Sequence, residues 1–221
     1  MALNKKNKQP WPTKKAMEQV YEKKLWGCNQ TPFYSGNGSH DSEIIDTYIN
    51  KVKLFLTSFK QPISVCDLGC GDFNIGKQLV EYSKEYIAID IVSSLIDFNK
   101  NKFTNTNLEF QCLDISKDPL PKGDCVIVRQ VLQHLSNKEV KNILKKLTNF
   151  KYLILTEHIP INNFIPNLDI ISGQGIRLKK KSGLVITEVP FHFKVKKQKE
   201  LCSVILNNKK EIISTILYEI Y

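Results

Sequence analysis

Apolar and polar residues follow two rhythms along this chain. Between 44 and 59, Ile44, Ile45, Tyr48, Ile49, Val52, Phe55, Leu56 and Phe59 recur at the spacing of one helix face, and Pro62 closes that element. Short apolar runs then follow at 65–68, 86–89, 108–113, 126–128 and 151–156. Helical stretches are predicted between them over 75–83, 93–100 and 137–148. Strands and helices taken in turn predict an α/β fold, a parallel sheet with helices on both faces. From Ile159 to Gly183 the pattern breaks, with Pro160, Pro166, Gly173 and Gly175. An aperiodic stretch of this length reads as a functional, lid-like loop. Leu184 to Val189 reads as a short strand. Leu201–Leu206 and Ile212–Glu219 flank Asn207-Asn208-Lys209-Lys210 and read as an antiparallel hairpin. The first 24 residues read as a flexible or loosely helical arm, and residues 25–40 are turn-rich. We therefore expect an arm and helical cap over 1–60 and the α/β domain over 61–221, with the lid-like loop at 159–183.

The strand ends carry the chemistry. The first strand runs into Asp67-Leu68-Gly69-Cys70-Gly71-Asp72-Phe73-Asn74, a carboxylate followed by a glycine turn. Glycine lets backbone approach a ligand closely, because no Cβ intervenes. A dinucleotide pyrophosphate prefers backbone N–H groups without an acid beside them, and its G-x-G-x-x-G pattern needs a third glycine where Asn74 stands. Asp67 instead suits a ligand with a cationic end, such as the ammonium or sulfonium of S-adenosylmethionine. The second strand ends at Asp90, in the range expected for an acid that grips ribose hydroxyls. The third ends at Asp114 and the fourth at Arg129-Gln130. Polar residues gathered at one sheet edge describe one binding crevice.

These residues resemble the class I S-adenosylmethionine-dependent methyltransferases. The resemblance runs from about Ile63 to Glu157, through Asp67-Leu68-Gly69-Cys70-Gly71, Asp90, Leu113-Asp114 and Arg129-Gln130-Val131-Leu132-Gln133-His134-Leu135. It implies a Rossmann-like, doubly wound, seven-stranded and mostly parallel sheet with an antiparallel C-terminal hairpin. A narrower likeness is to a bacterial small-molecule and surface-polysaccharide subgroup. It rests on Trp26, Ser35-Gly36-Asn37-Gly38-Ser39, Cys70-Gly71-Asp72-Phe73-Asn74, Asp118-Pro119-Leu120-Pro121 and Asn167 to Gln174. The Trp-Arg-Pro usual after that last segment is Gly175-Ile176-Arg177 here.

The resemblance implies S-adenosylmethionine as cofactor and gives each strand end a task. Asp67 would sit near the methionine amino group. Asp90 would accept from both ribose hydroxyls, and Asp114 from the adenine amino group beside the Ile115 backbone. Leu68, Ile91 and Leu113 would line apolar faces. Ser35, Gly36 and the following backbone N–H groups would hold the cofactor carboxylate or an anionic substrate; alternatively Ser39 simply caps the next helix. Arg129 would pair with a carboxylate or phosphate, or cover the site with a salt bridge. His134 is the first candidate for a general base, with structural packing as its alternative. Glu157 and His158, at the end of the fifth strand, are the other candidates. Asp169 and Gln174 are further candidates for substrate binding.

Composition narrows the partners. Apolar content of 42% and charged content of 24% are ordinary for a globular protein. No apolar run approaches the roughly 18 residues of a membrane span, and Met1 to Lys15 holds no apolar signal core, so a cytoplasmic protein is expected. The six cysteines form no C-x-x-C pair; Cys66, Cys112 and Cys125 fall in strands expected to be buried, and no metal site is expected. The net charge of +10 is concentrated in Lys5, Lys6, Lys8, Lys14 and Lys15, in Lys179 to Lys181, and in Lys194, Lys196, Lys197 and Lys199. It favours an anionic partner or is a solvated surface. A small polar, phosphorylated or sugar-linked acceptor methylated on oxygen is the first reading, and RNA the second. The Asp/Asn-Pro-Pro-aromatic motif of amino-group nucleic-acid methylases is absent, because the fourth strand leads into Arg129-Gln130-Val131-Leu132.

Overall fold

The strand runs are apolar on both faces because both faces are covered. The computed structural model describes residues 11–207 and 209–221; Lys5, Lys6 and Lys8 of the basic arm lie outside them. Seven strands form one sheet: β1 (Ser64–Leu68), β2 (Glu85–Asp90), β3 (Leu108–Cys112), β4 (Cys125–Arg129), β5 (Tyr152–Pro160), β6 (Lys197–Ile205) and β7 (Glu211–Glu219). Their order is β3-β2-β1-β4-β5-β7-β6. Pairing is parallel from β3 through β5, and β7 runs antiparallel to both β5 and β6. β1 is central, with β2 on one side and β4 on the other. The connections after β1 and β4 therefore leave in opposite directions and open a crevice at their carboxyl ends.

Side-chain parity splits the interior into two cores. Val65, Tyr86, Ala88, Cys125, Ile127 and Ile154 point to the side covered by helix α2 (Ser42–Leu56), whose Ile45, Tyr48, Ile49, Val52 and Leu56 are buried. Cys66, Leu68, Ile87, Ile89, Val126, Val128, Leu153 and Leu155 point to the other side. There helix α4 (Asn137–Leu147) buries Val140, Ile143, Leu144 and Leu147. Each fully buried aliphatic side chain contributes about 1.5–3 kcal/mol, so the two cores hold the strand ends rigidly at one edge. Ser136 starts α4 with a reciprocal cap: its hydroxyl accepts from the Glu139 amide, and the Glu139 carboxylate accepts from the Ser136 amide. Two further helices, α1 (Thr13–Glu22) and α3 (Ser93–Lys102), complete the set of α-helices among the described residues.

Several local expectations change. Residues 75–83 form two short 3-10 turns, Gly76–Gln78 and Val80–Tyr82, not one helix. The cause is Phe73, held at φ 61° with its ring fully buried against Tyr86, Phe103 and Phe110. A Cβ on Gly76 would lie 2.2 Å from that ring. Leu184 to Val189 is not a strand. Asn167 occupies its backbone instead: the Asn167 amide donates to the Val185 and Val189 carbonyls and its Oδ1 accepts from the Val185 N–H. Leu184 and Ile186 still pack into the α4-side core. Asp41, rather than Ser39, caps α2, accepting from the Glu43 amide at 3.0 Å. Cys112 is exposed because β3 is an edge strand whose buried residue is Phe110. The loop from 161 to 183 is stitched down by side chains: Ser172 accepts from the Ser136 amide, and Asp169 from the Asn137 amide. No helix among the described residues is long and apolar enough to cross a membrane.

Candidate active site

The crevice is built on the glycine turn. After β1, the Gly69 and Cys70 amides both donate to the Ile89 carbonyl, at 2.7 and 2.9 Å. Gly69 (φ 82°) and Gly71 (φ 55°) lie in the left-handed region. A Cβ at Gly69 would lie 2.3 Å from Val131 Cγ2, and one at Gly71 2.4 Å from Ser35 Oγ. Both positions therefore require glycine for conformation and for space. Asp90, at the end of β2, steadies the turn: its Oδ2 accepts from the Gly71 amide at 3.2 Å and its Oδ1 from Val92 at 3.0 Å. Burial raises the Asp90 pKa, and those amides partly offset it.

The N-terminal segment is clipped over this turn. Ser35 and Asp72 exchange hydrogen bonds, Ser35 N–H to Asp72 Oδ2 and Asp72 N–H to Ser35 Oγ, each 2.9 Å. Tyr21 reaches Ser35 Oγ at 3.1 Å, and His40 reaches Asp72 at 2.6 Å. Arg129, at the end of β4, donates to the Gly38 carbonyl at 2.5 Å, to Ser39 Oγ at 3.3 Å and to Gln130 Oε1 at 3.1 Å, and its guanidinium stacks over Tyr48. These contacts enclose a cavity of about 540 Å³. Gly69, Cys70 and Gly71 form its floor; Asp90, Ile91, Leu113, Asp114 and Ile115 form one wall. Arg129, Gln130, Val131 and His134 form another, with Ser35 and Gly36 alongside, and Met17, Tyr21 and Trp26 close it from the N-terminal side.

Most candidates from the sequence thus meet in one cavity, but Asp67, Leu68, Glu157, His158 and Asp169 do not line it. Asp67 points to the α2 side, beneath the glycine turn, where Tyr86 donates to its Oδ2 at 2.9 Å. Burial pushes its pKa up to about 7. Glu157 continues the parity of Leu153 and Leu155 and is buried on the α4 side. Neither carboxylate oxygen has a hydrogen-bond partner, and burial drives its pKa up to about 8, with Arg177 and the Gln133 and Leu132 amides opposing. His158 turns to the opposite face and lies 3.2 Å from Glu211. β5 runs on to Pro160, so Glu157 and His158 lie within the strand rather than at its end, and neither lines the cavity.

His134 does line the cavity, with its ring 5.1 Å from that of Trp26. Burial lowers its pKa to about 4, so it is neutral at pH 7 and a weak base. Asp114 Oδ1 accepts from the Ser116 amide and hydroxyl, and its Oδ2 pairs with Lys117 at 2.7 Å. Burial alone would raise its pKa, but the Lys117 and Ser116 hydrogen bonds win and hold it below the usual range. Gln174 lines the cavity and donates to the Leu25 carbonyl, whereas Asp169 serves the start of α4.

Other residues at the site were not foreseen. Thr13, Ser136 and Ser172 all donate to Glu139, which joins α1, α4 and the 161–183 loop at the cavity rim. Arg177 is fully buried; it donates to the carbonyls of Leu132, Gln133 and Leu135 and to Asn137 Oδ1, fixing the turn that carries His134. The spacing of Met17, Val20 and Tyr21 was the readable sign that α1 packs inward. Ser136-x-x-Glu139 is a local capping-box signature, but nothing local marked Glu139's bonds to Thr13 and Ser172, or Arg177, because those partners are distant in sequence. Among the described residues, no three His, Cys, Asp or Glu side chains are gathered as metal ligands.

Residues 65–150 match the family described as a methyltransferase domain. The malonyl-(acyl-carrier protein) O-methyltransferase of Acetivibrio thermocellus is 34% identical over 77 residues, which cover 34% of this chain and 27% of that protein. The match thus spans about a quarter of that relative's length. Among solved structures, the N-methyltransferase NodS of Bradyrhizobium japonicum, in complex with S-adenosyl-L-homocysteine, is similar with a TM-score of 0.63 at 12% identity, over 92% of this chain and 98% of that one. Magnesium protoporphyrin IX methyltransferase of Synechocystis, with S-adenosylmethionine bound, gives 0.58 at 14% identity, over 96% and 100%. At such identities the likeness is one of fold. The methyltransferase-domain match covers under half of the chain, and the chain as a whole has the fold of these S-adenosylmethionine-dependent methyltransferases.

Proposed function

We propose that this chain transfers a methyl group from S-adenosylmethionine to an oxygen of a small polar acceptor held in the same cavity. Asp90 carries the reading. It is an acid at the end of β2, its position is fixed by two backbone amides, and it lines the cavity beside a glycine floor. Each of its oxygens keeps acceptor capacity beyond the amide it already serves, which suits a pair of ribose hydroxyls. Ile91, Leu113 and Ile115 would cover the adenine faces, and Asp114 its amino group. The methionine carboxylate would lie by Arg129 and the 35–39 segment. Asp67, outside the cavity, is assigned no cofactor contact.

When bound, the cofactor supplies an already activated methyl group, so the chain mainly aligns the reactants and keeps water out. Tyr21 and Trp26 roof the site for that second task. An oxygen acceptor agrees with what the Acetivibrio thermocellus relative is named for. The N-terminal glycine segment favours a sugar-linked or phosphorylated intermediate, as in surface-polysaccharide synthesis. RNA as acceptor stays second, resting on the net charge of +10. Titration calorimetry tests the reading: S-adenosylmethionine and S-adenosylhomocysteine should bind one to one, and NAD should not. NAD binding of comparable strength would overturn it.

A further inference from the structure

Gln133 and His134 are neighbours in the short turn after β4, and both line the cavity. Gln133 is buried, and its amide has one end that accepts and one that only donates. Its Oε1 accepts from the His158 amide at 2.9 Å. Its Nε2 is therefore the end that meets His134 Nε2, at 3.4 Å. A donor on one side requires a lone pair on the other, so His134 Nε2 carries no proton. The opposite tautomer would set two donors against each other. In the neutral ring the proton then sits on Nδ1, which is sealed from solvent and makes no hydrogen bond of ordinary length. Nδ1 is the nitrogen left to meet the Gly175, Gly173 and Gln174 backbone, which favours a proton on the ring. Arg177 pins this turn through the Leu132, Gln133 and Leu135 carbonyls, so the pair keeps its orientation.

That lone pair lies where the reaction needs one. With the ribose on Asp90 and the carboxylate end by Arg129, a cofactor runs from β2 across the glycine floor to β4, and His134 follows β4. We infer that the acceptor is a hydroxyl, that His134 is the general base taking its proton on Nε2, and that Gln133 is the positioning residue that sets this tautomer. The 3.4 Å contact is long for a hydrogen bond, so an acceptor O–H can take the place of the Gln133 amide at the lone pair. The O–H bond breaks and its proton passes to Nε2. The electron pair left on oxygen forms the O–CH3 bond while the S–CH3 bond breaks, its pair passing to sulfur. The hydroxyl becomes a methyl ether, and imidazole becomes imidazolium as the sulfonium charge disappears. The cavity thus keeps one positive charge throughout. Loss of the neighbouring cation also eases protonation of a ring that burial otherwise keeps neutral.

This inference rests on the methyl-transfer reading, and the test separates the two. The full chain, isotopically labelled at its histidine nitrogens and saturated with S-adenosylhomocysteine, is read by NMR at neutral pH, with the His134 signals assigned through the backbone. His134 should show a protonated Nδ1 and a bare Nε2. Gln133→Glu sets an acceptor against Nε2 and should move the proton there, whereas Gln133→Leu should leave a mixture of tautomers. S-adenosylhomocysteine affinity should stay within about threefold in both variants. Labelled S-adenosylmethionine is then incubated with the chain and a small-molecule extract of the cells that make it. The labelled product should keep its methyl group through mild alkali, as an ether does and an ester does not. His134→Ala should lower the initial rate by about 10²–10⁴-fold at saturating cofactor. Gln133→Leu should lower it less, in proportion to the loss of the reactive tautomer. The tautomer is read on the unaltered chain, so it decides even where His134→Ala folds poorly. A proton on Nε2 in the unaltered chain, a tautomer indifferent to Gln133→Glu, a rate within a few-fold of normal after His134→Ala, or an alkali-labile methyl group would each overturn the inference. Failure of S-adenosylhomocysteine to bind, or an extract that yields no labelled product, would instead remove the reading beneath it.

Discussion

Asp90 and Glu157 both lie near the carboxyl edge of the parallel strands, yet one faces the cavity and the other is sealed below it. Asp90 shares the parity of Tyr86 and Ala88 and ends its strand, so its carboxylate emerges beside the glycine turn and meets two amides. Glu157 shares the parity of Leu153 and Leu155, so the α4-side core and Arg177 enclose it without a hydrogen-bond partner. Asp67 is an intermediate case. It has the parity of Asp90, but its register partner is Ala88, two residues short of the β2 end, so it stays beneath the turn and takes the Tyr86 hydroxyl. A strand-end acid therefore becomes a ligand only if parity and depth both agree. Those that fail on either count become buried groups whose protonation bears on stability.

The largest effect expected of this contrast is at Asp90. Asp90→Ala should weaken S-adenosylhomocysteine binding by roughly 2–4 kcal/mol, since charge-assisted hydrogen bonds to two hydroxyls are lost. The variant should keep its far-UV circular dichroism. Calorimetry that found an unchanged dissociation constant would put Asp90 in the same class as Glu157 and erase the comparison.

A smaller effect is expected at Glu157, and it falls on stability. Its carboxyl titrates near 4.5 unfolded and near 8 folded, so the folded state holds the proton more tightly. As pH rises from about 4.5 to 8, the unfolded chain is ionised first and stability falls across that window. Glu157→Gln removes the penalty. It should raise the unfolding midpoint by several degrees at pH 8, from about 1–3 kcal/mol, and change it little at pH 4. Thermal melts at the two pH values check this; a gain as large at pH 4 would contradict it.

The smallest effect should come from Asp67→Asn. The amide oxygen can still accept from Tyr86, and the site it serves lies outside the cavity. Cofactor affinity should change by less than about threefold, well under the 1.4 kcal/mol of a tenfold change. A loss comparable to that of Asp90→Ala would mean that Asp67 acts on the ligand from below the turn.

The sheet, its crevice and the glycine floor were legible because they rest on local signals: apolar runs, strand-end polars and a glycine pair. Asp90, Ile91, Asp114, Ile115, Arg129 and Gln130 were placed by the same signals, and all line the cavity. Asp67, Glu157 and His158 were misread because a strand's end does not tell which way the last side chain points. The wall made by the loop was hidden for a different reason. Glu139 and Arg177 act through partners that lie between 33 and 126 residues away for Glu139, through Ser172 and Thr13, and between 40 and 45 for Arg177. Where Asn167 replaces strand pairing for residues 185–189, an apolar run imitates a strand that never forms.

The most direct test of the account is a crystal structure of the chain with S-adenosylhomocysteine. The account predicts the ribose hydroxyls on Asp90, the adenine between Ile91 and Ile115 with its amino group toward Asp114, the carboxylate end by Arg129, and Asp67 still bonded to Tyr86. A ligand bound outside this cavity, or one whose ribose is held without Asp90, would contradict it.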